Sequence, residues 1–214
     1  MSTNLFLDIL DEARKDLLPS FVGFKGTYYL AGGTGLALQI GHRDSIDFDF
    51  FRNDSFDPSE LNKELRSILK DKRITVIQEE KDTLTVLAND TIKLSYFTYP
   101  YQLISPLVSS EYLDLASIED IGCMKLSAIM SRSLLKDYVD LYFILQRIPL
   151  GELLAFAKQK FPNWDGTVAL KSLTYFEDIT QEPILYKHEH QISFEAIQKF
   201  LESQVKMVID EAVG

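Results

Sequence analysis

The 214-residue sequence predicts an α+β fold, with strands and helices in the N-terminal half and helices alone in the C-terminal half. Up to about residue 105, short segments rich in Val, Ile, Thr and aromatic residues alternate with helix signals. From residue 117 onward, apolar residues recur at helical spacing. Hydrophobic residues make up 46% of the chain and charged residues 25%, so a sizeable buried core is expected.

The N-terminal half, residues 1–105, is predicted to alternate helices and strands. Pro19 ends the first helix and Gly41 the second, whereas Asp57 and Pro58 supply the cap and first position of the third. The helices are expected at 4–17, 34–40 and 58–70, and the strands at 28–31, 46–51, 74–78, 83–87 and 91–98. Lys-Asp and Asn-Asp pairs separate the last three strands, as in a meander.

The C-terminal half, residues 106–214, is predicted to be helical. Ser117 and Asp120 form a start signal of the capping-box type, with Asp in place of the usual Glu. Helices are expected at 118–131, 134–147, 150–160, 166–176 and 193–212, and a polar loop at 178–192. We interpret the His-Glu-His run at 188–190 as loop surface rather than as metal ligands. The two halves are expected to pack together and form a cleft.

Composition and charge exclude some classes of function. A net charge of −10 argues against a protein that coats nucleic acid non-specifically, because such proteins need a broad basic face. The basic run at 61–75 is interpreted as a solvated helix face. Cys123 is the single cysteine, so a reducing compartment and a buried thiol are expected. Without a signal-peptide pattern or an apolar run of roughly 18–20 residues, the chain is predicted to be cytoplasmic, with no membrane partner.

The most informative stretch joins a glycine turn to a strand that carries two aspartates. Gly32 and Gly33 lie between an apolar strand and a short helix, where bare backbone N–H groups can approach a phosphate. Asp47 and Asp49 are two residues apart on the next strand and therefore share a face. The opposite face carries Ile46, Phe48 and Phe50. Adjacent carboxylates repel each other unless a cation lies between them, and Mg²⁺ is the usual cation where phosphate also binds.

These residues resemble the nucleotidyltransferase superfamily, and within it the AbiEii/AbiGii toxin family. The first matching block reads Gly32-Gly33-Thr34, then Arg43, Ser45 and Asp47-x-Asp49. The second reads Lys125-Leu126-x-Ala128, Arg132 and Lys136-Asp137-x-x-Asp140-Leu141. Their order and spacing fit the family over about residues 28–145. The resemblance implies a nucleotidyltransferase-like mixed sheet with flanking helices, followed by a helical lobe that completes the cleft.

The resemblance also implies a reaction and a set of site residues. A nucleotidyltransferase moves a nucleoside monophosphate from an NTP to a hydroxyl and releases pyrophosphate. Asp47 and Asp49 would be catalytic and hold Mg²⁺. The nucleotide-binding residues would be Gly32, Gly33, Thr34, Arg43 and Ser45. Arg43 is expected to pair with Asp47 or with phosphate, although Arg43 and Ser45 have structural roles as the alternative.

Many members of the superfamily carry a third metal carboxylate on a later strand. Ser95 stands at that place in the 91–98 strand. A site with three carboxylates and two metals is therefore not expected. The helical half would supply the remaining polar groups instead.

The helical half is expected to contribute the catalytic residues Lys125, Asp137 and Asp140. Lys125 can hold the triphosphate as a point charge. Asp137 and Asp140 share a helix face and can either orient Lys125 or deprotonate the acceptor hydroxyl. We favour Asp140 as the functional acid because its neighbours are apolar. Lys93 is the alternative cation, and we expect it to face away from Ser95.

Three hypotheses follow from these residues. The first is a Mg²⁺-dependent nucleotidyltransferase that is the toxin of a toxin–antitoxin or abortive-infection pair. It would have NTP as substrate, an RNA or tRNA acceptor and a cognate antitoxin protein as partners. The second, which Ser95 keeps open, is a catalytically degenerate protein of the same fold that binds a nucleotide or a partner. The third is a small-molecule nucleotidyltransferase of the antibiotic-modifying kind, which the acidic charge fits loosely.

Overall fold

The computed structural model describes residues 4–187 and 189–213. Its strands are β1 (Tyr29–Leu30), β2 (Phe48–Arg52), β3 (Ile74–Glu80), β4 (Thr83–Ala88), β5 (Ile92–Thr98), β6 (Val108–Ser109) and β7 (Asp114–Leu115). Its α-helices are α1 (Glu12–Lys15), α2 (Gly32–Ile40), α3 (Pro58–Ile68), α4 (Ile118–Ser131), α5 (Leu135–Leu145), α6 (Leu150–Lys160), α7 (Gly166–Thr174) and α8 (Phe194–Val213). Two 3₁₀ segments, Leu7–Ile9 and Leu18–Phe24, flank α1.

All of these strands join one mixed sheet in the order β3-β4-β5-β2-β1-β7-β6. The central strand β2 runs parallel to β5 and antiparallel to β1, and β1 runs parallel to β7. The predicted fold class, α+β with a mixed sheet and flanking helices, is therefore confirmed.

The sheet separates two hydrophobic cores. Leu30 on β1 belongs to the first core, whereas its neighbours Tyr29 and Ala31 belong to the second, as alternation along a strand requires. The first core includes Phe48 and Phe50 of β2 and residues of α3. The second is built by α2 and the helices from α4 onward. The residues that follow β1 therefore stand at the junction between sheet and helical half.

The opening helix predicted at 4–17 is wrong. The segment forms a 3₁₀ turn, the four-residue α1 and a second 3₁₀ stretch. Leu10 is extended and Asp11 caps α1 by accepting from the N–H of Arg14, so a new helix begins in the middle of the predicted one. Apolar residues at helical spacing pack equally well from these short turns, which is why periodicity did not distinguish them.

Strand β2 begins at Phe48, two residues later than predicted. The carbonyl of Ile46 accepts a hydrogen bond of 2.7 Å from the Nε of Arg14, and the carbonyl of Asp47 accepts one from the Thr34 hydroxyl. Side chains thus take the carbonyl groups that a longer strand would pair. Ile46, expected on the apolar face, is 59% exposed because it lies in this segment before the strand.

Other boundaries agree closely with the sequence. Helices α4 and α6 match their predicted ranges, and the thiol of Cys123 is buried. In the basic run, Lys63 and Arg66 are exposed on α3, whereas Lys70 and Arg73 are exposed in the segment between α3 and β3. Strands β6 and β7 were not predicted, and both follow the boundary proposed at residue 105. The division into 1–105 and 106–214 stays a prediction.

The run at 188–190 includes His188, which lies outside the described residues. Among the described helices, none has the length and apolar character that crossing a membrane demands.

Candidate active site

The glycine turn after β1 contacts both halves of the molecule. The N–H of Ala31 donates to the carbonyl of Asp49 at 3.0 Å and fixes the turn against β2. Gly32 has a φ of +63°, and a Cβ there would lie 3.2 Å from Oδ2 of Asp49. A Cβ at Gly33 would collide with the guanidinium of Arg43. Glycine is therefore required at both positions, by backbone conformation at the first and by close approach at the second.

Asp47 and Asp49, hereafter the Asp pair, lie together beside this turn. Phe48 and Phe50 point into the first core, which leaves Asp49 on the opposite face of β2. Asp47 precedes the strand by one residue and is not on it as predicted, but the Lys93 ammonium lies near both carboxylates, so the two side chains are close together. Asp49 is level with Ser95 in the parallel β2–β5 register. Burial raises the pKa of Asp49, the Lys93 ammonium opposes that shift, and the Asp47 carboxylate adds to it.

The expected orientation of Lys93 is wrong. Its Nζ lies 2.9 Å from Oδ2 of Asp47, so the ammonium faces the Asp pair. Lys93 and Ser95 are two residues apart on β5, which is an even step and places both on one face. Lys93 is therefore a cation of the site, and strand alternation alone is sufficient to find it.

Thr34 has a structural contact that the sequence did not indicate. Its hydroxyl lies 2.8 Å from the hydroxyl of Ser45 and also donates to the carbonyl of Asp47. Its side chain is buried. The hydroxyl therefore supports the segment before β2, and only the backbone N–H of Thr34 stays available for a nucleotide.

Helices α4 and α5 bring Lys125, Asp137 and Asp140 together. The Nζ of Lys125 lies 2.8 Å from Oδ1 of Asp137 and 2.5 Å from Oδ2 of Asp140. Arg132, at the end of α4, donates from Nε to Oδ2 of Asp137 at 2.8 Å. Both carboxylates are fully buried, whereas the side chain of Arg132 is 53% exposed.

Arg43 pairs with Asp140, so the expected pairing with Asp47 is wrong. Its Nε donates to Oδ1 at 2.6 Å and one terminal nitrogen donates to Oδ2 at 2.8 Å, which is a bidentate geometry. Nε2 of His42 lies 2.8 Å from the same Oδ1. The guanidinium is buried, and it reaches the helical half because Gly33 leaves room for it.

Electrostatics favour an orienting role for Asp140 over proton abstraction. Burial alone would raise the pKa of this carboxyl, but Arg43, Lys125 and His42 together hold it well below its usual value. A carboxylate with so low a pKa is a weak base at neutral pH. The pKa of Asp137 is also lowered, because Lys125 and Arg132 outweigh the effect of burial.

Arg43, Lys125 and Arg132, with Asp137 and Asp140, form what we call the basic cluster. Its three cations outnumber its two carboxylates. His42 adds no charge at neutral pH, because burial lowers its pKa despite the bond to Asp140. The excess positive charge lies against the same turn as the Asp pair, since Gly32 contacts Asp49 and Gly33 contacts Arg43.

A strap, residues 180–187, runs alongside the basic cluster. The N–H of Thr180 donates to the carbonyl of Ser133, and the N–H of Asp44 donates to the carbonyl of Leu185, each at 2.8 Å. The N–H of Lys187 donates to the carbonyl of His42 at 3.0 Å. The strap thus joins the segment around Arg43 to the start of α5.

The donor chemistry of the Asp pair fits a hard cation. Two carboxylates lie close together, the absence of a side chain at Gly32 leaves Oδ2 of Asp49 approachable, and carboxylate oxygen is the ligand Mg²⁺ prefers. Within residues 4–187 and 189–213, no group of three or more His, Cys, Asp or Glu is placed to hold a metal. The remaining ligands would have to come from nucleotide phosphates and water, in agreement with Ser95 at the third position.

Sequence reasoning missed His42 and the partner of Arg43. His42 lies 98 residues from Asp140, and its position after Gly41 gives no periodic signal. Only the matching family blocks placed Arg43 and Asp140 in one site. No local pattern indicated that they bond to each other.

A mixed sheet, a glycine turn against an Asp-bearing strand and a helical half that adds cations define the nucleotidyltransferase class. The family described as "Nucleotidyl transferase AbiEii toxin, Type IV TA system" matches residues 16–212. The chain therefore belongs to the AbiEii family of nucleotidyltransferase toxins.

Known proteins are similar to this chain in sequence or in fold. An uncharacterized protein from Aquifex aeolicus is 35% identical over 195 residues, which cover 88% of this chain and 91% of that protein. The nucleotidyltransferase toxin MenT4 from Mycobacterium tuberculosis superposes with a TM-score of 0.63 at 15% identity, over 92% of this chain and 82% of that one. JHP933 from Helicobacter pylori gives 0.59 at 19% identity, over 94% of each chain. At these identities the two structures are similar in fold.

Proposed function

We propose that this nucleotidyltransferase transfers a nucleoside monophosphate from an NTP to the terminal hydroxyl of an RNA, such as a tRNA, with Mg²⁺ as cofactor. One observation carries the proposal. The Gly32–Gly33 turn lies between the Asp pair and the basic cluster, so a cation site and an anion site meet at one stretch of bare backbone. A metal-bound triphosphate needs both.

The chain's own residues have distinct roles in this proposal. Asp47 and Asp49 would hold Mg²⁺, which supplies charge neutralisation on the phosphate oxygens. The N–H groups of the glycine turn, with the Ser45 hydroxyl, face the triphosphate. Lys125 supplies buried positive charge from the helical half. Arg132 supplies positive charge that is exposed to solvent.

The buried carboxylates orient these cations. Asp140 holds Arg43 in a bidentate pair and Lys125 in a single ion pair, while Asp137 holds Lys125 and Arg132. The cations thus keep fixed positions before the nucleotide arrives, so less ordering is needed on binding. In the transfer, the acceptor oxygen bonds to the α-phosphorus and the bond from that phosphorus to the β-bridging oxygen breaks. Pyrophosphate leaves, and the hydroxyl proton passes to water.

The family description supports a place in a toxin–antitoxin or abortive-infection system. We therefore propose that a cognate antitoxin controls the activity. Because the reaction consumes NTP and modifies RNA, we propose that the protein works in the cytoplasm.

The test is an incubation of the protein with each labelled NTP, Mg²⁺ and total RNA. Label should enter RNA with at least one NTP, and chelation of the metal should prevent it. Asp47→Ala and Asp49→Ala should each lower transfer by at least about a hundredfold with unchanged circular dichroism, since each removes a metal ligand. Full activity in both variants would contradict the proposal.

The degenerate-protein alternative predicts a different result from the same experiment. NTP would bind, as measured by calorimetry, and no label would move to any acceptor.

Lys93→Ala serves as a comparison for the two Asp variants, because Lys93 pairs with Asp47 without belonging to either family block. We expect it to retain transfer more fully than either Asp variant.

A further inference from the structure

A pocket in the helical half lies beside the basic cluster. Its volume is about 560 Å³. It is open to solvent and is lined by the C-terminal end of α4 with Ser131 to Ser133, by Tyr138 of α5, and by the end of α7 with Lys171 and Tyr175. The roles proposed above use Arg132 of its lining, and the rest of the pocket has no part in them.

The charged side chains of the described lining are both cationic, Arg132 and Lys171. This is unexpected on a chain with 32 acidic and 22 basic residues. Arg132 donates from its Nε and one terminal nitrogen to Asp137, at 2.8 and 3.3 Å. Because a guanidinium carries five N–H donors, others stay available for a ligand. Lys171 is exposed on α7. The lining thus offers two cationic side chains to an anionic ligand, whereas the carboxylates of Asp178 and Glu177 lie near the Tyr175 hydroxyl at its edge.

The other walls suit a nucleoside. Tyr175 is 48% exposed, so a face of its ring is available for stacking. The Tyr138 hydroxyl lies 3.2 Å from the carbonyl of Ser172 and 3.4 Å from that of Tyr175, which fixes the end of α7 against α5. The hydroxyl groups of Ser131 and Ser133 add neutral hydrogen-bonding partners along the rim.

Arg132 connects the pocket to the cleft. Its guanidinium binds Asp137, which binds Lys125, which lies against Asp140 and Arg43 beside the glycine turn. The pKa of Arg132 is raised first by the hydrogen bond to Asp137, and Asp49 also contributes. Arg132 is thus the lining residue through which the pocket adjoins the basic cluster, and the Asp49 carboxylate is near enough to affect its pKa.

We propose that this pocket binds the terminal nucleotide of a single-stranded RNA acceptor. Its phosphate lies between Arg132 and Lys171, its base stacks on Tyr175, and its 3′-hydroxyl is directed toward the Asp pair. The proposal rests on the function proposed above and adds a binding site for the acceptor RNA. An open pocket of this size holds one nucleotide and lets the strand continue into solvent.

Binding and transfer test the proposal separately. A fluorescent five-nucleotide RNA with a free 3′-hydroxyl is titrated with the wild type, Lys171→Ala and Tyr175→Ala, and NTP affinity is measured in parallel. Each variant should weaken RNA binding about tenfold or more, the scale of a phosphate contact or a base stack, and leave NTP affinity unchanged. Lys158→Ala, an exposed lysine of α6 outside the pocket, is the matched control and should bind RNA as the wild type does.

The possible outcomes separate this inference from the proposed function. Wild-type RNA affinity in both pocket variants overturns the inference, as does a loss confined to NTP affinity, which would assign the pocket to the NTP. If RNA binding depends on the pocket but no NTP supports transfer, the proposed function fails and the RNA site stands. Competition by a free nucleoside monophosphate as strongly as by the RNA would reassign the pocket to mononucleotides.

Discussion

Two buried carboxylates in the helical half, Asp120 and Asp140, both form ion pairs with a lysine but have different roles. Both are fully buried, and both bind a lysine from a neighbouring helix. Asp120 has one cationic partner, Lys160 at 2.6 Å, and its other partners are neutral: the N–H groups of Ile104 and Ser105 and the hydroxyl of Ser117. Its charge is therefore balanced within a closed site.

Asp140 belongs to a cluster whose charge is not balanced. Arg43, Lys125 and Arg132 outnumber the two carboxylates, and Arg132 is half exposed. A closed and neutral pair can hold a loop in place, whereas a cluster with excess positive charge and an exposed end can receive an anion. The comparison teaches that burial of an ion pair does not indicate function, and that the charge balance and the exposed partner do.

The largest expected effect is that of Asp140→Ala. The substitution leaves the Arg43 guanidinium and the Lys125 ammonium without their shared carboxylate in a buried site. We expect the free energy of unfolding to fall by about 5 kcal/mol, the upper end for a broken buried ion pair. Urea denaturation measures the loss. Asp140→Asn, which keeps the shape, should lose less stability and still bind NTP while transferring more slowly.

Asp120→Asn tests the other member of the comparison. Lys160 is 1% exposed as a side chain and would lose its anionic partner, keeping the neutral Gln102 carbonyl at 2.8 Å, the amide oxygen of the new Asn and the face of the Tyr99 ring. We expect a loss of about 3 kcal/mol in the free energy of unfolding. The turnover number of the folded protein should equal that of the wild type. A fall in turnover with intact folding would remove the distinction between the two carboxylates.

A matched pair of lysine variants sharpens the comparison at the level of binding. Lys125→Ala should weaken NTP affinity by roughly 1.5–3 kcal/mol, the range for a hydrogen bond to a charged group. Lys160→Ala should leave NTP affinity unchanged, because Lys160 contacts Asp120 and Gln102 rather than the basic cluster. Titration calorimetry at fixed Mg²⁺ measures both. Equal affinities in the two variants would show that the triphosphate binds away from Lys125.

The smallest expected effect is the loss of folding stability at acid pH. The pKa of Asp140 in the folded protein lies below its ordinary value of 3.8, so the unfolded chain takes up the proton first as pH falls. The stabilisation by this group is present above pH 3.8 and is lost progressively below it. Unfolding free energies measured from pH 5 down to about pH 2 should fall more steeply for the wild type than for Asp140→Asn. Parallel curves would mean that the ion pairs of Asp140 add no net stability.

Much of the fold could be predicted from the sequence because its longer elements carry strong patterns. Helix α4 has a capping serine and a long apolar repeat, and its bounds agreed with the prediction. Strands β6 and β7 have two residues each, too few for any alternation to register. The opening segment failed for the opposite reason, because an apolar repeat was present and a cap at Asp11 divided it.

The sequence predicted that the Asp pair, the glycine turn and the polar residues of the helical half belong together, but it did not indicate His42 and assigned Lys93 the wrong orientation. Strand alternation placed Asp47 and Asp49 on one face, and applied consistently it also places Lys93 there. The pairing of Arg43 with Asp140 spans 97 residues and depends on how α2 and the segment after it pack against α5. Such contacts follow from tertiary packing, which local periodicity does not describe.

The strap has a consequence for how this protein can evolve. Residues 180–187 hydrogen-bond to His42 and Asp44 near the start of the chain and to Ser133 and Leu135 in its middle. A gene fragment that ended before α5 would encode Arg43 without its carboxylate and without the strand-like partner that positions its backbone. The Asp-bearing half is therefore poorly suited to transfer between genes as a separate module, and we expect homologous chains to gain and lose segments beyond this unit rather than within it.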